Sequence, residues 1–168
     1  LTDGSLIYVA ALGSVNNDNF TNLQAIGDES DLRVSGTLQA VPLGTDADGF
    51  IVPAMRGEDP IWLAVEQNVS GLNIAARPLG DGTNNARLSL NNCLARVLTT
   101  GEAARTSERD ARVAAEIAAS AYQLGLADSL LTMTIDYLGT RRQFGQAIGS
   151  FQSIQHRLVD AYMALRFA

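Results

Sequence analysis

At 168 residues, with 46% hydrophobic and 18% charged side chains, the chain is large enough for one sizeable core or two small ones and has an ordinary globular composition. Eighteen carboxylates against twelve basic groups, all of them arginine, give a net charge of −6 and exclude the basic stripe of a nucleic-acid-binding protein. One cysteine excludes an internal disulfide, and no His, Cys and carboxylate group has metal-ligand spacing, so no metal site is expected.

From the start, LTDGSLIYVAALGS has no basic n-region and its apolar run is broken by Gly and Ser. Neither a signal peptide nor a membrane span is expected, and a cytoplasmic or organelle-lumen location fits. Without a secretory context, the Asn-x-Ser/Thr sequences at Asn19 and Asn68 read as chance matches. The runs SLIYVAAL, DLRVSGTLQAV, GFIVPAM, IWLAVEQ, LNIAARPL and NARLSLNNCLARVL are short apolar or alternating segments separated by Gly, Asp, Asn and Pro. That spacing predicts an antiparallel β sandwich or barrel over residues 1–98. Trp62, the only tryptophan, reads as a packed strand residue. Cys93, with no His or second Cys nearby, reads as a small buried apolar side chain.

Charge locates a boundary. Residues 1–100 hold 11 acidic and 5 basic side chains, whereas 101–168 hold 7 of each. The short polar junction Thr99-Thr100-Gly101 opens a second domain, 99–168. Ser107, with Asp110 three residues on, has the form of a capping box, and Glu108 and Asp110 suit the positive end of a helix. Val113, Ile117, Leu124, Leu131, Ile135 and Leu138 then recur at helical spacing, and no proline follows Pro78. A helix from about Ser107 to Gln143 would extend on the order of 55 Å, too long for a small globule to cover. Phe151, Ile154, Leu158, Tyr162 and Leu165 mark one apolar face of a second helix, and the link from Gly145 to Ser150 is short enough to turn it back on the first. Ala111, Ala114, Ala115, Ala118, Ala119 and Ala121 permit close helix approach. Two helices do not bury each other completely. The expected fold class is therefore α+β, a β domain followed by two long antiparallel helices of an incomplete helical bundle, with further helices beyond Ala168.

Where the two helical patterns meet, residues 137–158 read YLGTRRQFGQAIGSFQSIQHRL. Arg141 is followed by Phe144-Gly145, a short Ile-Gly-Ser link, Phe151-Gln152, and then Gln155-His156 and Leu158. A guanidinium fork matches a pyrophosphate bidentately, and an amide both donates to and accepts from ribose or phosphate oxygens. The plainer alternative makes Arg141 and Arg142 complements to a helix C-terminus, with Phe144 and Phe151 in the core. As a whole the stretch resembles the signature with which acyl-CoA dehydrogenases enter the second half of their C-terminal helical domain. The β half is similar, more loosely, to the middle domain of that family. The resemblance lies in Val34-Ser35-Gly36-Thr37, Val41-Pro42, Ala47-Asp48-Gly49-Phe50-Ile51-Val52 and the Ala-Arg-Leu at 86–88.

The resemblance implies FAD as cofactor, with Arg141, Phe144 and Gln152 in the positions that hold the pyrophosphate and adenosine end of a flavin bound mainly by a neighbouring subunit. It also implies an acyl-CoA substrate and a homo- or hetero-oligomer, a dimer or tetramer. Dehydrogenation in the family takes the α-proton to a glutamate and the β-hydrogen, as hydride, to the flavin. This sequence departs from the family where side chains meet the flavin ring. A Thr-Glu-Pro stretch is replaced by Ala-Leu-Gly-Ser-Val at 11–15, and a Trp-Ile-Thr/Ser stretch by Leu-Gln-Ala-Val-Pro at 38–42. In members that carry the base on the first long helix, its place falls on Ala115; Glu116 is adjacent, but one helical residue is about 100° of rotation. No catalytic residue is assigned. His156, the only histidine, shares a face with Gln152 opposite the apolar stripe and reads as a surface or interface residue. Two readings stay open: part of an FAD-dependent acyl-CoA dehydrogenase, or a non-catalytic subunit of the same fold that completes a partner's FAD site.

Overall fold

The computed structural model describes residues 6–12, 19–28 and 30–168. The chain forms two compact units, Leu1–Ala111 and Arg112–Ala168. The first is built on one eight-stranded sheet: β1 (Tyr8–Ala10), β2 (Leu23–Ile26), β3 (Arg33–Pro42), β4 (Gly49–Arg56), β5 (Asp59–Glu66), β6 (Leu72–Pro78), β7 (Asn84–Leu94) and β8 (Arg96–Thr100). Its order is β6-β7-β3-β2-β4-β5-β8, with β1 added against β4.

Most neighbours are antiparallel, but β1 and β2 each run parallel to β4, so the sheet is mixed rather than purely antiparallel as expected. The cause lies in connection. β1 and β2 return to the same strand through long segments, and only hairpin-linked strands such as β4 and β5 are forced to reverse. The run NARLSLNNCLARVL, expected as one strand, divides at Ala95. Its first part pairs with β3 and β6, and its second crosses to β5 at the far edge. The short β2 was not anticipated at all.

The core follows the period-2 pattern except where the β3–β7 ladder shifts register, which brings Val41 and Cys93 onto the same side as Val34, Leu38, Leu88 and Leu90. These residues cluster with Val52 and Ala54 of β4 and Ile61, Leu63 and Val65 of β5. β5 is buried on both faces, which explains its unbroken apolar sequence. Its second face carries Trp62, packed edge-on against Phe20 with 5.6 Å between ring centroids and touching Ala104. Gly36, within the Val-Ser-Gly-Thr segment, has φ +139°, and a Cβ there would fall 2.3 Å from the Asn22 carbonyl oxygen. A glycine is what lets β2 lie against β3 at that point. Cys93 is fully buried and burial pushes its thiol up, as its reading as an inert core residue requires.

α1 spans Gly101–Thr140, starting six residues before the expected Ser107. Gly101, at φ +59°, turns the chain straight out of β8, and Ala104 is buried against Trp62, whose indole N–H donates to the Ala104 carbonyl at 3.0 Å. Tertiary packing thus sets the start ahead of the local cap, and Ser107 is interior. The helix also stops before Gln143, because Arg142–Gln143 (β9) folds onto Gln146–Ala147 (β10). α2 spans Gln152–Phe167. Ser120, Leu124 and Ala127 of α1 line a groove of about 480 Å³ with Ala161, Ala164 and Leu165 of α2, while Gly149 meets Leu138, so the helices run antiparallel.

Each helix has a second apolar stripe. On α1, Tyr122, Leu126, Leu130, Met133 and Tyr137 lie about half a turn from the Leu124 stripe and are exposed. On α2, Met163 and Phe167 do the same opposite Leu158 and Leu165. A helix apolar on two sides is one built for neighbours on both.

Candidate functional site in the turn between the long helices

The last turn of α1 is closed by the Arg141 N–H, which donates to the Tyr137 carbonyl at 2.8 Å. The Arg141 carbonyl then accepts from the Ile148 N–H, also at 2.8 Å, which clamps the base of the β9–β10 hairpin. At its tip Phe144 (φ +52°) and Gly145 (φ +84°) both adopt left-handed backbone, the pattern of a type I′ turn. Glycine does so freely; for phenylalanine the conformation costs about 1–2 kcal/mol.

Phe144 is 91% exposed, against the alternative that placed it in the core. Its ring meets half-buried Phe151 edge-on, with centroids 6.2 Å apart. Neither Arg141 nor Arg142 pairs with a carboxylate among the described residues; Arg142 makes only a long 3.5 Å contact to the Gly145 carbonyl. Two exposed guanidinium groups, an exposed aromatic face and the exposed Gln152 amide therefore share one turn. The donor set fits a phosphate-bearing group attached to an aromatic ring system: the arginines match phosphate oxygens, Gln152 matches hydroxyls, and Phe144 offers a stacking face.

Two residues of the signature to which the sequence reading gives no role organise the turn. Gly149 sits in the single 3₁₀ turn Ile148–Ser150, and a Cβ there would lie 3.0 Å from the Leu138 carbonyl oxygen. Gln155 donates from Nε2 to the Gly149 carbonyl at 3.1 Å. Its spacing from Gln152 was the available signal. At the start of α2, Phe151 supplies no side-chain cap, and its carbonyl accepts from the N–H groups of Ile154 and Gln155.

Elsewhere the other sequence candidates fall as follows. His156 and Glu116 are exposed on their helices. Residues 13–15 of the 11–15 segment and the Asn19 side chain lie outside the described residues, while Gln39, Ala40 and Pro42 of the 38–42 segment are exposed on β3. The described residues include no group of His, Cys and carboxylates placed to hold a metal, and no helix long and apolar enough to cross a membrane.

The family description "Acyl-CoA dehydrogenase, C-terminal domain" matches residues 112–168. Among curated relatives, acyl-CoA dehydrogenase FadE27 of Mycobacterium tuberculosis is 32% identical over 148 residues, which are 86% of this chain and 38% of the relative. Among solved structures, a variant of the Tcur3481-Tcur3483 steroid ACAD superposes with a TM-score of 0.81 at 31% identity, covering 98% of this chain and 45% of that one. The ChsE4-ChsE5 complex from Mycobacterium tuberculosis gives 0.82 at 29%, covering 97% and 44%. The chain thus spans less than half the length of the proteins it matches. Matched in the helices by the family description and along nearly its whole length by these folds, the chain belongs to the acyl-CoA dehydrogenase family.

Proposed function

We propose that this chain is part of an FAD-dependent acyl-CoA dehydrogenase that introduces an α,β double bond into an acyl-CoA thioester, in the catabolism of fatty acids or related acyl groups. The observation that carries the reading is the link between the two helices, where Arg141 and Phe144 on the hairpin and Gln152 at the start of α2 are all exposed. In this reading Arg141 pairs with the pyrophosphate, Gln152 with phosphate or ribose oxygens, and Phe144 lies against the adenosine end. FAD, when bound, supplies the acceptor for the β-hydrogen. The chain's own task at this site is to bind and orient, and no residue of it is assigned as the base. The domain division 1–98 and 99–168, a sheet that closes as a sandwich or barrel, an incomplete helical bundle and a cytoplasmic location belong to the same proposal.

Because the site lies on exposed surface, the proposal places the rest of the flavin on a neighbouring subunit of a homo- or hetero-oligomer. The doubly apolar helices support such an assembly, since each carries a stripe its partner helix leaves uncovered. A second reading is a non-catalytic subunit that completes a partner's FAD site. The paired names of the two similar structures support it.

The test is flavin retention and sedimentation of Arg141→Ala beside Arg142→Ala. Loss of charge-assisted bonds worth roughly 1.5–3 kcal/mol should lower FAD affinity by about one to two decades for Arg141. A flavin shared between subunits should make the assembly loosen with it. Unchanged flavin content and assembly in both variants would remove the cofactor role. A glutamate in the later helices of the intact protein whose substitution abolishes acyl-CoA turnover would select the first reading, and turnover by the assembly with no such glutamate on this protein the second.

A further inference from the structure

We infer that Gln155 is a positioning residue for the flavin site: it holds Gln152 and Arg141 in mutual register by tying the start of α2 to the turn that precedes it. The inference rests on the FAD reading above and adds a residue to it.

Arg141 belongs to the end of α1 and Gln152 to the start of α2, so a ligand that both contact is bound only if the intervening turn is rigid. Most of the turn is braced by its own backbone, through the Ile148-to-Arg141 bond and the β9–β10 pairing. Ser150 Oγ adds a bond to the Ala147 carbonyl at 2.7 Å. These contacts fix the hairpin to Arg141; towards α2 the backbone adds only one long bond, from the Phe151 N–H to the Ile148 carbonyl at 3.3 Å, and leaves a firmer attachment to a side chain. Phe151, at the N-cap, has extended backbone and no side-chain cap.

Gln155 supplies that attachment. Its amide reaches back across the helix start to the carbonyl of Gly149. Gly149 in turn lies so close to the Leu138 carbonyl that a methyl group would have to be accommodated at 3.0 Å. The path therefore runs from the last turns of α1, through Gly149, to the first turn of α2, where Gln152 stands three residues before Gln155. An apolar side chain at 155 would keep the helix and leave this link unmade.

The experiment measures FAD affinity of the protein by flavin fluorescence in four forms: wild type, Gln155→Leu, Gln152→Ala and the double variant. Arg141→Ala serves as control. Gln155→Leu should weaken FAD about three- to tenfold, the worth of one hydrogen bond. It should do so by less than about twofold when Gln152 is already alanine, because its effect is exerted through that residue. Equal losses in both backgrounds would mean general destabilisation and overturn the inference. So would full affinity of Gln155→Leu where Arg141→Ala has lost the flavin. If Arg141→Ala also retains full affinity, the FAD reading itself fails and this inference with it. Should Gln155→Leu not fold, Gln155→Glu keeps the size and polarity but lacks the donor, and is held to the same comparison.

Discussion

The indole N–H of Trp62 donates to the main-chain carbonyl of Ala104 at 3.0 Å, so β5, next to the sheet's edge strand, holds the first turns of α1. Both groups are buried, and Phe20 closes the contact from the side. Trp62→Phe keeps much of the packing but removes the donor, and should cost about 1–2 kcal/mol in urea unfolding. Trp62→Ala should cost about 3–5 kcal/mol. Hydrogen exchange should localise the Trp62→Phe effect to amides near Ala104. Protection unchanged there would show that the helix start does not depend on this bond.

Phe144 permits a separation of backbone cost from side-chain use. Asparagine tolerates the left-handed region and alanine does not, while both lose the ring. Phe144→Asn should therefore be more stable than Phe144→Ala by about 1 kcal/mol in the flavin-free protein. If the ring serves the flavin, both variants should bind FAD more weakly than wild type, so stability and binding would move apart in the Asn variant. Equal thermal midpoints for Asn and Ala would show that the turn relaxes.

Cys93 makes a pH prediction with a definite sign. Burial raises the folded thiol above its ordinary value near about 8.5, so the folded state favours the protonated form. Its contribution to stability is complete below that ordinary value and is lost as pH rises through the raised one. Between pH 8 and 10 the thermal midpoint of wild type should fall more steeply than that of Cys93→Ala. Native protein at pH 8 should also react slowly with a thiol reagent. Fast labelling without unfolding would contradict the burial.

The exposed stripe of Leu126, Leu130 and Met133 on α1 should make the 168-residue chain self-associate. Replacing the three by Lys, Glu and Lys should lower the sedimentation coefficient at high concentration while helicity by circular dichroism stays unchanged. Identical concentration dependence in both proteins would place the association elsewhere.

Much of this was legible because it is local. The even spacing of Val34 and Leu38, the 3.6-residue recurrence from Val113 to Leu138, and the family signature from Arg141 to Gln152 are each written in one stretch of chain. What escaped depends on contacts between stretches. The start of α1 at Gly101 is set by Trp62, not by the cap signal at Ser107. The parallel approach of β1 and β2 to β4 has no residue signature. The Phe-Gly tip of the hairpin was hidden because I′ turns are read from Asn-Gly, and phenylalanine there violates the local preference. The Tyr122 to Tyr137 stripe overlaps the first in sequence, and a search for one face stops at one.

The sheet order also has a consequence for how the protein is made. β3 ends at Pro42, yet its long partner β7 does not begin until Asn84, and β8, which covers the edge of β5, ends only at Thr100. A ribosome adding about 5–20 residues per second therefore leaves the apolar edges of β3 and β5 unmatched for a period of seconds. During that interval the antiparallel β2–β3 and β4–β5 pairs already have both strands in hand. Nascent chains stalled before residue 84 should accordingly hold chaperones that recognise extended apolar segments, and those stalled with β8 clear of the exit tunnel should release them.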